Sequence, residues 1–267
     1  MTIRNVLNEA AKSLHVESPR KEASLLLAYF LKCDRTWLLM HEDNDLKDFD
    51  GYMGLIKRRA NNEPFEYITG EASFYSRDFF IDEGVLIPRP ETEILVDKAY
   101  EIIKDIQNPR IVEIGVGSGI ISTMLGILKK DAKIFATDIS EKALQNAKKN
   151  FEKFDVKVEL VHTSLLDNIV GEFDLLVSNP PYIANTENLE EHVLKEPHTA
   201  LFGGEVGDEL LHQIIFTCKE KNIPNLACEI GYDQRESMQI CLEKANAKEI
   251  KFYKDLAGLD RGFIAKF

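Results

Sequence analysis

The sequence predicts an α/β protein: a doubly wound sheet with a small helical bundle ahead of it. Three observations carry this. Residues up to about Asn62 show apolar spacing of the helical kind, segments from Arg110 onward alternate between strand-like and helix-like patterns, and a glycine-rich turn joins the first of those strands to the helix after it. The expected division is a helical domain over 1–64, a β-hairpin linker over 65–87 and a sheet domain over 88–267.

In the first part, Leu25, Leu26, Ala28 and Tyr29 are followed by Leu38, Leu39, Leu55 and Ile56, with almost no strand-like alternation. Between Phe65 and Ile87 the pattern changes to short runs, Glu66-Tyr67-Ile68-Thr69 and Phe79-Phe80-Ile81, set apart by Gly70, the Ser76 to Asp78 stretch and Gly84. Pro88-Arg89-Pro90 cannot continue a strand interior. Glu91-Thr92-Glu93 then places acids in the first turn of a helix whose apolar side includes Ile94, Ala99, Ile102 and Ile106. Strands are expected at 110–114, 133–138, 156–161, 173–178, 225–230, 249–253 and 262–267, and helices at 120–129, 141–151, 210–219 and 234–245. Alternation of this kind implies a parallel sheet covered by helices on both faces.

Bulk composition narrows the function. The 33 basic and 45 acidic residues give a net charge of -12, which opposes adhesion to phosphate backbones and anionic membranes. The 4 cysteines, Cys33, Cys218, Cys228 and Cys241, are scattered without a C-x-x-C pair, so they read as reduced thiols and no metal site is expected. No apolar run approaches the roughly 20 residues a membrane span requires. A cytoplasmic, soluble protein with no membrane partner is expected.

Glu113-Ile114-Gly115-Val116-Gly117-Ser118-Gly119 lies between a strand and a helix, where glycines permit a tight turn and close approach of a ligand. The next strand ends in Asp138, about 20 residues on, where a carboxylate can accept two ribose hydroxyls. A dinucleotide fingerprint would space its glycines G-x-G-x-x-G, with a pyrophosphate on the helix N-terminus. Here position 120 is Ile120 and the third glycine arrives one residue early. The G-x-G-x-G form preceded by Glu113 resembles class I methyltransferases, whose Rossmann-like domain binds S-adenosylmethionine. The resemblance implies that the loop backbone supports the methionine and ribose portions of that cofactor.

Phe173-Asp174-Leu175-Leu176-Val177-Ser178 is a buried-strand run that delivers Asn179-Pro180-Pro181-Tyr182 to the carboxyl edge of the sheet, where ligands bind in folds of this type. Each proline fixes its own φ and biases the preceding residue to extended geometry, so the Asn179 amide and the Pro180 carbonyl are presented rigidly. A planar NH2 group is a poor nucleophile because its lone pair is delocalised. If the Asn179 side-chain oxygen and the Pro180 carbonyl accept its two N–H bonds, the nitrogen is oriented and its developing positive charge meets two dipoles. Tyr182 can stack on the flat acceptor. The same chemistry serves an amide or the exocyclic amine of adenine, so an adenine methyltransferase acting on nucleic acid is the alternative.

Pro88-Arg89-Pro90-Glu91-Thr92-Glu93, the glycine loop, Asp138 and Ser178-Asn179-Pro180-Pro181-Tyr182 together resemble the peptide chain release factor glutamine methyltransferases. Pro64 to Gly70, Ala200 to Gly204, Glu229 to Tyr232 and Asp255 to Arg261 are similar to further segments of that family, so the resemblance covers nearly the whole chain. It implies methylation of the side-chain amide nitrogen of the glutamine in the Gly-Gly-Gln motif of class 1 release factors, with the helical N-terminus docking that protein substrate. By resemblance, Glu113 and Gly115 to Gly119, with Asp138, hold the cofactor. Asn179 contacts both cofactor and glutamine, and Pro180, Pro181 and Tyr182 complete the glutamine pocket. Where the family often has an acidic residue and an aromatic beside the adenine, this chain has Thr163-Ser164-Leu165-Leu166. Leu165, or a position one or two residues away, is the apolar contact expected on the ring. A monomer that makes no direct contact with nucleic acid is expected.

Overall fold

The computed structural model describes residues 1–267, and the chain divides into two compact units, 1–71 with 190–195, and 72–189 with 196–267. The first unit holds α1 (Ile3–Ser13), α2 (Pro19–Leu31), α3 (Arg35–Met40), α4 (Phe49–Ala60) and α5 (Phe65–Thr69). Three of these helices begin on a capping side chain: Thr2 accepts from the Asn5 amide at 3.4 Å, Asp34 from Trp37 at 2.7 Å and Asp48 from Gly51 at 2.8 Å. Ile3, Val6, Leu7 and Ala10 recur along one side of α1 and pack on Leu26, Leu27, Leu38 and Ile56. The buried Tyr52 hydroxyl donates to the Ala23 carbonyl at 2.9 Å. Leu26, Ala28, Leu38 and Ile56 take the buried places expected of them, whereas Tyr29 and Leu39 face solvent.

The Glu66–Thr69 run, strand-like by composition, is one helical turn instead. Its start is set by Pro64, and Gly70 ends it in the left-handed region at φ 75°, its amide donating to the Glu66 carbonyl at 2.7 Å. The hairpin proper is therefore β1 (Glu71–Phe74) and β2 (Arg77–Phe80). It is held by two fully buried asparagines of a later helix: the Phe80 amide donates to Asn150 at 2.8 Å and the Asp82 amide to Asn146 at 2.6 Å.

After α6 (Thr92–Ile103), a seven-stranded sheet is laid down by β3 (Arg110–Ile114), β4 (Lys133–Asp138), β5 (Val158–His162), β6 (Leu175–Ser178), β9 (Asn225–Glu229), β10 (Glu249–Lys254) and β11 (Asp260–Lys266). A minor pair, β7 (Ile183–Ala184) and β8 (Phe202–Gly204), stands apart. The intervening helices are α7 (Ile120–Leu128), α8 (Glu141–Lys153), α9 (His198–Leu201), α10 (Glu209–Glu220) and α11 (Arg235–Lys244). Strand order is β10-β11-β9-β6-β3-β4-β5, so the winding reverses between β3 and β6. The five strands from β9 to β5 are parallel, and β11 is antiparallel to both neighbours; the sheet is mixed rather than parallel throughout.

Each central strand is apolar on both sides. Leu175 and Val177 pack with α6 and α7, while Leu176 between them packs with α10 and α11; Ala227 and its neighbours Leu226 and Cys228 divide the same way. On α6 the packed positions are Leu95, Val96, Ala99 and Ile103. Of the four expected apolar contacts only Ala99 is fully buried: Ile94 and Ile102 are partly covered, and Ile106 lies beyond the helix end. Cys218, Cys228 and Cys241 are buried free thiols and Cys33 is half-buried. No helix is long and apolar enough to cross a membrane.

Candidate active site

Four adjacent strands end at one edge of the sheet. Register places Ile114 of β3 beside Thr137 of β4 and Ser178 of β6, and Ser178 beside Cys228 of β9. The next residues along are Gly115, Asp138, Asn179 and Glu229. Parallel strands therefore gather the glycine loop, one carboxylate on each flank and the Asn179 turn at the reversal point, where doubly wound sheets bind ligands.

The glycines of the loop serve different ends. Gly115 and Gly117 adopt φ of 75° and 52°, and a Cβ at either would meet no heavy atom within 4 Å and would project into open space. At Gly119, φ is 80° and a Cβ would come within 2.9 Å of Phe151 and 3.0 Å of Ala147, so this glycine admits close packing of α7 on α8. Val116 turns its side chain into the cluster of Ala136, Ala147 and Phe151, and the Ser118 carbonyl accepts from Asn150 at 2.8 Å. These two residues shape the loop from behind.

Asp138 accepts the Gly117 amide at 2.9 Å through one oxygen and the Ser140 amide at 2.9 Å through the other. Ser140 itself caps α8, accepting from Ala143 at 3.3 Å, so Asp138 is free of that duty. A carboxylate offers about four acceptor positions, which leaves capacity for two further donors. Burial pushes its carboxyl above the ordinary value, against those backbone donors.

Glu113 is 1% exposed and accepts both the amide of Ser122, at 3.0 Å, and the Ser122 hydroxyl, which pins the first turn of α7 to β3. Burial pushes its carboxyl up to about 8 from the ordinary 4.5. The folded chain then holds a proton that the unfolded chain releases between those values, so stability falls as pH rises through that window. Glu113→Gln keeps an acceptor for Ser122 and removes the titration. The melting-temperature gain of the variant over the parent is expected to grow from pH 5 to pH 8 in paired thermal scans, and a gap constant across that range would refute the assignment.

Asn179 sits where two cavities meet. The larger encloses about 830 Å³ of empty space out to its mouth and is lined by Gly115, Gly117, Asp138, Leu165, Asn179 and Pro181, among others. The smaller is bordered by Pro88, Arg89, Thr92, Glu113 and the glycine loop. Leu165 holds φ at 47°, unusual for a bulky residue, and its carbonyl accepts the Thr137 hydroxyl at 2.8 Å; Thr163 and Ser164 line the same wall. Pro180 is buried behind the turn, while Tyr182 borders a separate groove and donates its hydroxyl to Glu229 at 3.3 Å. The Asn179 Nδ2 donates to the Thr92 hydroxyl at 3.1 Å.

The open glycine backbone, an acidic acceptor with spare lone pairs and a long, mostly apolar cavity fit S-adenosylmethionine, which carries hydroxyls, a flat base and no phosphate. Sequence reasoning assigned no role to Gly84, Val85 and Leu86 of the segment after the hairpin, or to Pro197, Thr199 and Ala200, all of which line the larger cavity. The family resemblance implies that the Pro88 to Glu93 loop, Thr92 included, lies close to the methionine end of the cofactor, but it gives Glu229 no part. Glu229 carries the signal that singled out Asp138: a carboxylate closing a buried strand run at the ligand-binding edge.

The Methyltransferase small domain model matches residues 91–206, and the PrmC N-terminal domain model matches residues 5–70. The release factor glutamine methyltransferase of Koribacter versatilis is 35% identical, over 100% of this chain and 99% of its own length. That of Clostridium botulinum is 36% identical over the same shares, and that of Dictyoglomus turgidum 37% over 96% and 94%. Among solved structures, the N-terminal domain of human METTL16 in complex with SAH aligns at a TM-score of 0.54 with 19% identity, covering 71% of this chain and 75% of that one. The T. thermophilus 16S rRNA methyltransferase RsmC, in complex with AdoMet and guanosine, aligns at 0.53 with 13% identity, over 73% of this chain and 49% of its own. Those two likenesses bear on the fold.

Proposed function

The chain belongs to the release factor glutamine methyltransferase family, and from that premise we propose that it methylates a glutamine side chain of class 1 peptide chain release factors. The target is the amide nitrogen of the glutamine in their Gly-Gly-Gln motif. The enzyme acts as a cytoplasmic monomer without a nucleic-acid substrate, in keeping with its net charge of -12. Residues 1–64 dock the protein substrate; the exposed Leu39 and Met40 on α3 offer apolar surface for this. Residues 65–87 are the linker, and residues 88–267 carry the methyltransferase domain.

The observation that carries the chemistry is the side-chain orientation of Asn179. Because its Nδ2 is spent on Thr92, its Oδ1 is the free end of the amide. That oxygen and the Pro180 carbonyl accept the two N–H bonds of the glutamine amide and hold its nitrogen on line for transfer. Pro181, which lines the larger cavity, forms one flat wall of the glutamine pocket, and Tyr182 walls it from the separate groove that it borders. Gly115 to Gly119, with Asp138 for the ribose hydroxyls and Leu165 for the adenine, would hold S-adenosylmethionine, which would supply an electrophilic methyl. As the carbon–nitrogen bond formed and the methyl–sulfur bond broke, with S-adenosylhomocysteine leaving as the neutral thioether, the amide nitrogen would become positive and the two acceptor dipoles would stabilise it. The nitrogen then loses one of its protons to water, so no base is needed before transfer.

The test is transfer of labelled methyl from S-adenosylmethionine to a purified release factor, alongside its Gly-Gly-Gln glutamine-to-alanine variant and a DNA control. Label on the unaltered factor alone is expected. Label on DNA would instead establish the adenine reading, and label on the alanine variant would move the target off that glutamine.

A further inference from the structure

We propose that Thr92 and Glu229 are positioning residues: a one-way hydrogen-bond chain from Asn179 through the Thr92 hydroxyl to the Glu229 carboxylate fixes which end of the Asn179 amide faces the acceptor nitrogen. The inference rests on Asn179 being the clamp for a planar NH2 group.

The two ends of an asparagine amide have nearly the same shape and opposite hydrogen-bonding character. With Oδ1 forward, the side chain accepts from the acceptor nitrogen. With Nδ2 forward, it would set a donor against a donor and oppose the developing positive charge. The prolines after Asn179 fix the backbone, but nothing in them distinguishes these two rotations. The chain of contacts does. A carboxylate only accepts, so the single hydroxyl proton of Thr92 goes to Glu229, at 2.8 Å. Only lone pairs then remain on Thr92, and Asn179 must present Nδ2 to them, at 3.1 Å. Thr92 and Glu229 are each 1% exposed, so water does not compete for these contacts. The other Glu229 oxygen accepts from Tyr182, so one buried carboxylate orders both the clamp and the aromatic wall.

The polarity of the chain depends on the charge of Glu229. Facing it are Arg261 from β11, Tyr182 from the turn after β6, Tyr253 from β10 and Glu91 ahead of α6. Burial raises its carboxyl to about 7 from the ordinary 4.5, with the Thr92 hydrogen bond and Arg261 holding it down. Protonated, Glu229 becomes a donor, Thr92 can turn its proton towards Asn179, and the clamp loses its fixed sense. Turnover of the parent enzyme is therefore expected to fall as pH is lowered through about 7, while Glu229→Gln lacks that step.

The test uses the full chain as Thr92→Val, Thr92→Ser and Glu229→Gln, with two readouts. In methyl transfer to a release factor, kcat is expected to fall about 30-fold in Thr92→Val and Glu229→Gln, with cofactor affinity held within about 2-fold. Thr92→Ser, which keeps the hydroxyl, recovers most of the lost turnover. Independently of any substrate, the side-chain amide resonances of Asn179, identified by their loss in Asn179→Asp, are expected to shift in Thr92→Val and Glu229→Gln but not in Thr92→Ser. Resonances that overlay those of the parent in all three variants would overturn the proposal, as would kcat within about 3-fold of an active parent. If the parent transfers no methyl to a release factor while these resonances shift as stated, the glutamine reading fails and the positioning chain stands.

Discussion

Asn179→Ala is expected to lower kcat for methyl transfer by about 100-fold or more, the scale seen when one preorganised dipole is removed from a developing charge. The substitution takes away one of the two acceptors that hold the amide nitrogen and leaves the Pro180 carbonyl as the other. It also leaves the Thr92 hydroxyl without its donor, but Thr92 keeps its bond to Glu229 at 2.8 Å, so no buried group is orphaned and the fold should persist. The defect belongs mostly to the transition state, where the nitrogen carries charge, so kcat falls further than KM for the release factor rises. Single-turnover rates with saturating cofactor check this directly. A rate within about 3-fold of the parent would remove Asn179 from the mechanism and shift the weight of orientation to the Pro180 carbonyl and the Tyr182 wall.

Much of this site was legible in the residue order because its parts close strand runs. β3 and β4 begin and end where the apolar runs 110–114 and 133–138 do, since a strand buried on both faces reads as an unbroken apolar segment with a polar residue at its edge. Asp138 and Asn179 occupy such edges, and the two prolines after Asn179 mark its turn. Other parts depend on contacts far apart in sequence. Thr92 opens a helix 87 residues before Asn179, and Glu229 closes a strand 50 residues after it; the pairing of β6 with β9 and the packing of α6 against both make the three neighbours. Glu66 to Thr69 misled for a different reason: β-branched and aromatic residues favour strands in general, yet Pro64 and Gly70 set a single helical turn there. Segment 190–195, which belongs with the N-terminal unit, carries no local mark of that membership.

Asp138→Ala separates cofactor binding from chemistry. In the proposed complex each carboxylate oxygen accepts a ribose hydroxyl as well as a backbone amide, and hydrogen bonds to a charged acceptor are worth about 1.5–3 kcal/mol apiece. Two such losses would weaken binding by more than 100-fold. Two effects pull in opposite directions on that figure: removing a buried carboxylate relieves the desolvation that raises its carboxyl above the ordinary value, while the amides of Gly117 and Ser140 lose their partner and loosen the loop. The expected net result is an S-adenosylmethionine Kd about 100-fold higher by calorimetry, with kcat at saturating cofactor within about 5-fold of the parent. Asp138→Asn keeps one accepting oxygen but sets its NH2 against one of those amides, so it should fall between the two. An unchanged Kd in Asp138→Ala would mean that the carboxylate only braces Gly117 and Ser140, and the ribose hydroxyls would then have to be met elsewhere along the cavity wall.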